Sequence, residues 1–177
     1  MRVMMLDFDG VLNSKQHFLA TKGFKVPGAD TLNDADLFRM KSDVNANNMW
    51  VLRFIMDQVP DLKIVISSAW RSFYSLESFK ELFKIYKLDG DRIIGVTPKK
   101  FSSERIHEIH MWLDDYVELH HKQPDWVALD DHAIFNLGDP EKVREFLTDS
   151  WVGLTMQDAF KIVQHFHPEY QPPVILI

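Results

Sequence analysis

Three short apolar runs end on oxygen-bearing side chains, and this repetition limits the folds open to the chain. Val3-Met4-Met5-Leu6 meets Asp7-Phe8-Asp9-Gly10, Leu62-Lys63-Ile64-Val65-Ile66 meets Ser67-Ser68, and Trp126-Val127-Ala128-Leu129 meets Asp130-Asp131. Runs this short and this apolar suit parallel strands covered on both faces. Gly10 lets the first run turn away sharply, since no side chain obstructs a left-handed backbone there.

Helical patterns separate the runs. Met49, Leu52, Ile55, Met56 and Val59 predict a helix over 46–59, capped by Asn45 or Asn47 and ended by Pro60-Asp61. Ser75 caps a second helix, with Leu76, Phe79, Leu82, Phe83 and Tyr86 on one face, closed by Asp89-Gly90. A short strand is expected over 92–96, stopped by Thr97-Pro98. A helix follows over 103–121, with Ile106, Ile109, Leu113, Tyr116 and Val117 as its stripe. Asp139-Pro140 reads as a cap and first helical residue, placing Val143, Phe146 and Leu147 inward. A fifth strand is expected over 151–154. Thr155 to Asp158 forms a capping box for the last helix, which runs to about His165.

Residues 14–45 are punctuated by Lys22-Gly23, Pro27-Gly28 and Asn33-Asp34 and read as a long irregular, lid-like insertion. The tail, 168–177, carries Pro172-Pro173 and then Val-Ile-Leu-Ile. It is read as an edge strand or as a contact with a neighbouring subunit, which leaves an oligomer open. Strands alternating with helices predict an α/β fold: a Rossmann-like three-layer sandwich with a central parallel sheet of about five strands, in one domain over 1–177. Ligands of such sheets bind at the carboxyl ends of the strands. If the three runs are neighbours, four carboxylates and two hydroxyls share one crevice.

Composition narrows the function. The net charge of -6 disfavours stable binding of a nucleic-acid duplex, which takes a basic face. It still allows a local basic pocket for one phosphate. The absence of cysteine removes disulfides, thiolate catalysis and thiolate-bound zinc, and fits a reducing compartment. No apolar stretch is long enough for a membrane span, and the N-terminal run is too short for a signal-peptide core. A cytoplasmic protein is expected.

Four carboxylates in one crevice repel one another unless a cation offsets them. Hard oxygen ligands without sulfur favour Mg²⁺ over zinc. With such an ion present, an aspartate can attack phosphorus and form an aspartyl-phosphate. A second, protonated carboxyl group can then protonate the leaving oxygen.

Asp7-Phe8-Asp9-Gly10-Val11-Leu12 resembles the first motif of the haloacid dehalogenase-like (HAD) superfamily of phosphohydrolases. The resemblance implies that Asp7 is nucleophile and metal ligand, and that Asp9 is the general acid/base whose backbone carbonyl also meets the metal. Gly10 belongs to the same substrate-facing turn. Ser67 or Ser68 matches the second motif, a hydroxyl that hydrogen-bonds the phosphoryl group; the sequence leaves both open. Asp130-Asp131 matches the acidic fourth motif that completes the Mg²⁺ site. Arg105, on the first turn of its helix, fits the basic third motif best, with Lys99 and Lys100 as rivals in the preceding loop.

Ser-Ser-Ala-Trp-Arg, Leu-Asp-Asp and the run through Arg105, Glu108, Ile109, Trp112 and Leu113 resemble a small HAD subgroup. Some of its members are linked to nucleic-acid repair or nucleotide dephosphorylation. Neither gap between motifs has room for a folded cap domain; by the resemblance, such an open site implies a macromolecular substrate or a cap supplied by a partner subunit. A phosphorylated small molecule or a nucleic-acid end is the expected substrate. Trp70 and Arg71 follow the second motif directly. Trp70 is read as stacking a base or packing in the core, and Arg71 as meeting a phosphate. A phosphotransferase with the same intermediate, a silent phospho-ligand module and a receiver-like signalling domain are the alternatives. Ser67-Ser68 at the central strand tip argues against the receiver. His107 and His110, three apart, suggest a metal pair but have no third ligand near in sequence.

Overall fold

The structure, a computed structural model, describes residues 1–21, 32–99 and 104–173. Among these residues five strands form one parallel sheet: β1 (Arg2–Leu6), β2 (Leu62–Ile66), β3 (Ile93–Val96), β4 (Asp125–Asp130) and β5 (Glu145–Leu147), in the order β3-β2-β1-β4-β5. Among the described residues, six α-helices accompany them: α1 (Lys15–Thr21), α2 (Leu32–Asp43), α3 (Ala46–Gln58), α4 (Leu76–Ile85), α5 (Arg105–His120) and α6 (Met156–Phe166). The expected α/β, Rossmann-like architecture is borne out.

Strand alternation divides the core in two. Met4, Leu6, Ile64, Ile66, Val127 and Leu129 face a large cluster with residues of α3, α4 and α6. Val3, Met5, Val65, Trp126 and Ala128 face a smaller one with Ile109 and Leu113 of α5. The strands are apolar throughout because both faces are covered. β1 lies at the centre of the order, so its C-terminal end is flanked by the ends of β2 and β4.

Local signals act where the sequence places them. The Asn45 side chain, not that of Asn47, caps α3 by accepting from the Asn47 amide; Ser75 caps α4; Thr155 and Asp158 form the reciprocal box of α6. α5 begins at Arg105 without a side-chain cap.

Several expectations need correction. The 14–45 segment is not wholly irregular: α1 and α2 lie within it. α4 ends at Ile85, before Asp89-Gly90, because Lys87 takes a left-handed backbone (φ 59°); Gly90 instead opens a short 3-10 turn. The segment after Asp139 is not an α-helix. Its cap is real, but it leads only into a 3-10 turn, Pro140–Arg144, with Val143 exposed. Glu145–Leu147 is then the fifth strand, in register with Ala128, Leu129 and Asp130 of β4. Residues 151–154 form a turn instead: Val152 and Gly153 amides both donate to the Asp149 carbonyl, and Gly153 has φ +74°. The tail forms no strand over 168–173, and 174–177 lie outside the described residues.

Candidate active site

Sheet register builds the site. Leu6 is level with Ile66 and Leu129, and Ile66 with Val96. Backbone bonds carry this pairing one residue further: Ser67 donates to the Leu6 carbonyl (2.8 Å), Asp7 to Leu129 (3.0 Å) and Thr97 to Ile66 (2.9 Å). Thr97, Ser67, Asp7 and Asp130 therefore form one row across four strand tips. Alternation turns the row toward α5, opposite to Leu6, Ile66 and Leu129.

α5 meets that row with a guanidinium. Arg105 Nη1 lies 3.4 Å from Asp7 Oδ1 and 3.3 Å from Asp130 Oδ2. It is buried and forms no geometric hydrogen bond, so it serves as a point charge between two carboxylates. Lys99 is exposed in the preceding loop, and Lys100 lies outside the described residues.

Asp7 is buried. Its Oδ1 accepts from the Phe8 amide at 2.8 Å. Burial pushes its carboxyl up to about 7, and the Asp130 charge adds to the shift; Arg105, the Ser68 hydroxyl and the Phe8 N–H oppose it. Burial also raises Asp130, against Arg105 and the His132 amide, which donates at 2.9 Å. Asp131 Oδ1 lies 2.5 Å from His132 Nδ1. Gly10, at φ +72°, is pressed against Asp131: a Cβ there would lie 2.2 Å from Asp131 Oδ2. The Thr148 hydroxyl donates to the Gly10 carbonyl at 2.8 Å.

The donor set fits a hard divalent cation. Ligand atoms of Asp130, Asp131 and His132 lie within 4.8 Å of one another, and the buried Asp7 and Asp130 share one guanidinium. Burial is the largest cause of the upward shift of both, and a cation held by Asp7, Asp130 and Asp131 would oppose it.

The remaining sequence candidates divide. Ser68 caps the 3-10 turn Ala69–Ser72 by accepting from the Trp70 amide, and its hydroxyl also reaches Asp7. The Ser67 hydroxyl is buried and unpartnered. Trp70 is not a free stacking platform: it is 8% exposed and packs on Phe8 and Tyr74, with centroids 4.9 and 5.5 Å away. Its indole N–H donates to Asp9 Oδ2 at 3.0 Å. Arg71 turns inward to an ion pair with Glu108 and a bond to the Ser68 carbonyl. His110 pairs with Glu141 at 2.7 Å, and among the described residues neither His107 nor His110 joins a group of three potential metal ligands.

Sequence reading overlooked four groups. Thr97 was read only as a strand stop, yet its hydroxyl is buried, unpartnered and in the row. Its signal was a polar residue ending an apolar run. His132 directly follows the two acids. Asn13 donates to Asp9 Oδ1 at 3.1 Å. Asp43, at the end of α2, is raised by burial and then by the Asp9 charge, which places the end of the insertion within electrostatic reach of Asp9.

A parallel α/β sheet with its acids at the tips of β1 and β4 is the arrangement expected of a HAD-type phosphohydrolase domain. The chain belongs to the family described as the HAD domain in Swiss Army Knife RNA repair proteins, whose model matches residues 3–159. No curated protein and no solved structure matches the chain. Among the described residues no helix is long and apolar enough to cross a membrane.

Proposed function

We propose that the protein is a Mg²⁺-dependent phosphomonoester hydrolase acting on phosphorylated nucleic-acid ends. The row of Asp7, Ser67 and Asp130 facing Arg105 carries the reading: a nucleophile, a hydroxyl donor and a fixed cation meet on one side of the sheet.

The Asp7 carboxylate attacks phosphorus, and the bond from phosphorus to the ester oxygen breaks. Asp9 gives its proton to that oxygen, which leaves as an alcohol. Asp9 then takes a proton from water as the water attacks the aspartyl-phosphate, releasing inorganic phosphate and restoring Asp7. Arg105 balances charge on the phosphoryl oxygens, and the unpartnered Ser67 hydroxyl donates to one of them. Asp7, Asp130, Asp131 and the Asp9 carbonyl would hold a Mg²⁺ ion, which would supply charge that lowers the repulsion between nucleophile and substrate.

The substrate reading draws support from the family's description in RNA repair proteins; RNA ends are the partners proposed here, and the cytoplasm the proposed location. The net charge of -6 fits recognition of a terminus better than of a duplex. Phosphate release is to be measured from 3′- and 5′-phosphorylated RNA and DNA oligonucleotides, mononucleotides and sugar phosphates, with Mg²⁺ and with chelator. Metal-dependent release, greatest from oligonucleotide ends and lost in Asp7→Asn, supports the reading. Folded protein that releases phosphate from none of them overturns it.

A further inference from the structure

Asp9 is the exposed member of the acidic set, and an exposed aspartate ordinarily exchanges among rotamers. Here both carboxyl oxygens are held. Oδ2 accepts from Trp70 Nε1 at 3.0 Å, and Oδ1 from Asn13 Nδ2 at 3.1 Å. The two donors differ in rigidity. Asn13 lies in the same turn as Asp9, with its main-chain carbonyl accepting from the Gly10 amide. Trp70 comes from the far side of the crevice, beyond β2. Its ring is wedged between Phe8 and Tyr74 in the large core cluster, and its amide is tied to the Ser68 hydroxyl. The core thus dictates where the indole N–H points.

We infer that Trp70 is a positioning residue for proton transfer: its indole N–H fixes the Asp9 carboxyl group, and so the line along which Asp9 passes a proton to and from the phosphoester oxygen. This rests on the phosphohydrolase reading above. The chemistry of the donor suits the task. An indole N–H donates but neither accepts nor ionises, so it orients the carboxyl group without competing for its proton. An oxygen that accepts one hydrogen bond keeps a second lone pair, where the transferred proton can reside. Phe8 completes the link: it sits between Asp7 and Asp9 in the chain and under Trp70 in space, so one aromatic contact locates nucleophile, acid and donor together.

Packing alone would make the same tryptophan structural, and the leaving group separates the two roles. Trp70→Phe keeps a six-membered ring beside Phe8 and Tyr74 and removes the N–H together with the rest of the five-membered ring; lost packing alone would act on every substrate alike. The value of kcat/KM reports the first phosphoryl transfer and not the later hydrolysis of the aspartyl-phosphate. For an alkyl phosphate, whose alkoxide must be protonated, kcat/KM is expected to fall about 10-fold, part of the ~10²–10⁴ that general acid catalysis supplies. For nitrophenyl phosphate, whose phenolate leaves unaided, it is expected to fall less than about 2-fold. Equal losses on both substrates, or no loss on either, overturn the inference.

A second measurement needs no turnover. The indole N–H resonance of Trp70 in metal-free protein is expected to move upfield in Asp9→Ala, as its acceptor is removed. A resonance that stays in place overturns the inference, whether or not Trp70→Phe folds. Wild-type protein inactive on both substrates strikes at the phosphohydrolase reading, and the resonance still decides the contact.

Discussion

Arg71 and Glu108 form an ion pair whose side chains are 7% and 8% exposed. It ties the turn after β2 to α5, one helical turn beyond Arg105. Removing one partner of a buried pair strands the other charge and costs about 3–5 kcal/mol, whereas replacing both by apolar groups is often near neutral. Glu108→Ala is therefore expected to lower the unfolding free energy by about 3 kcal/mol in a denaturant titration. Arg71→Met combined with Glu108→Leu should recover most of that loss. A marginal effect of Glu108→Ala would free Arg71 for the phosphate contact its sequence position suggested.

Asp7 links pH to stability. Its carboxyl is raised from an ordinary 3.8 to about 7. Between those values the folded protein holds a proton that the unfolded chain has released. Stability from this group is whole below the lower value and is lost as pH rises through the upper one. The melting temperature of metal-free protein is expected to fall from pH 4 to pH 7.5, and to fall less in Asp7→Asn. Added Mg²⁺ should raise the wild-type melting temperature at pH 7.5, and do so less in Asp7→Asn. Calorimetry with chelator and with metal measures both.

Gly10 tests the turn after the nucleophile. Gly10→Ala imposes a side chain at φ +72° and drives its Cβ into the Asp131 carboxylate. The left-handed backbone alone costs about 1 kcal/mol, and Asp131 must move as well. Lower thermal stability is expected, with a larger proportional loss of Mg²⁺ affinity by isothermal titration.

Thr97 offers the opposite trade. A buried hydroxyl without a partner costs about 1–3 kcal/mol of desolvation, and Thr97→Val removes it at nearly equal volume. The variant is expected to be more stable by about 1 kcal/mol in a denaturant titration. If the hydroxyl meets substrate, the same variant should raise KM several-fold in phosphate-release assays.

The strands that build the row were legible because each signal was local and repeated: an apolar run, then oxygen. Arg105 was singled out over Lys99 by its place on a helix, and the structure brings Arg105 to Asp7 and Asp130. The fifth strand was misplaced because Trp151-Val152-Gly153-Leu154 is the more apolar segment. Pairing with β4 went instead to Glu145-Phe146-Leu147, whose Glu145 carboxylate is buried where it pairs with Lys142 and accepts from the Ile134 and Phe135 amides, while Asp149 and Gly153 folded the apolar stretch into a turn. Trp70 was ambiguous for another reason. Whether an indole packs, stacks or donates depends on Phe8, Tyr74 and Asp9, partners at distances that no sequence spacing records.

The 14–45 insertion leaves the domain after Asn13 and returns at Asn45, whose amide donates to the Leu12 carbonyl at 2.8 Å. Its two stems are thus fastened side by side, and α1 is pinned at its start by Lys15 and Gln16 amides on the Ser150 and Trp151 carbonyls. The returning stem is held by packing as well, since Met40 and Val44 are buried in the large core cluster. Both roots of the insertion therefore stay beside the turn that joins Asp7 to Asn13, whatever its length.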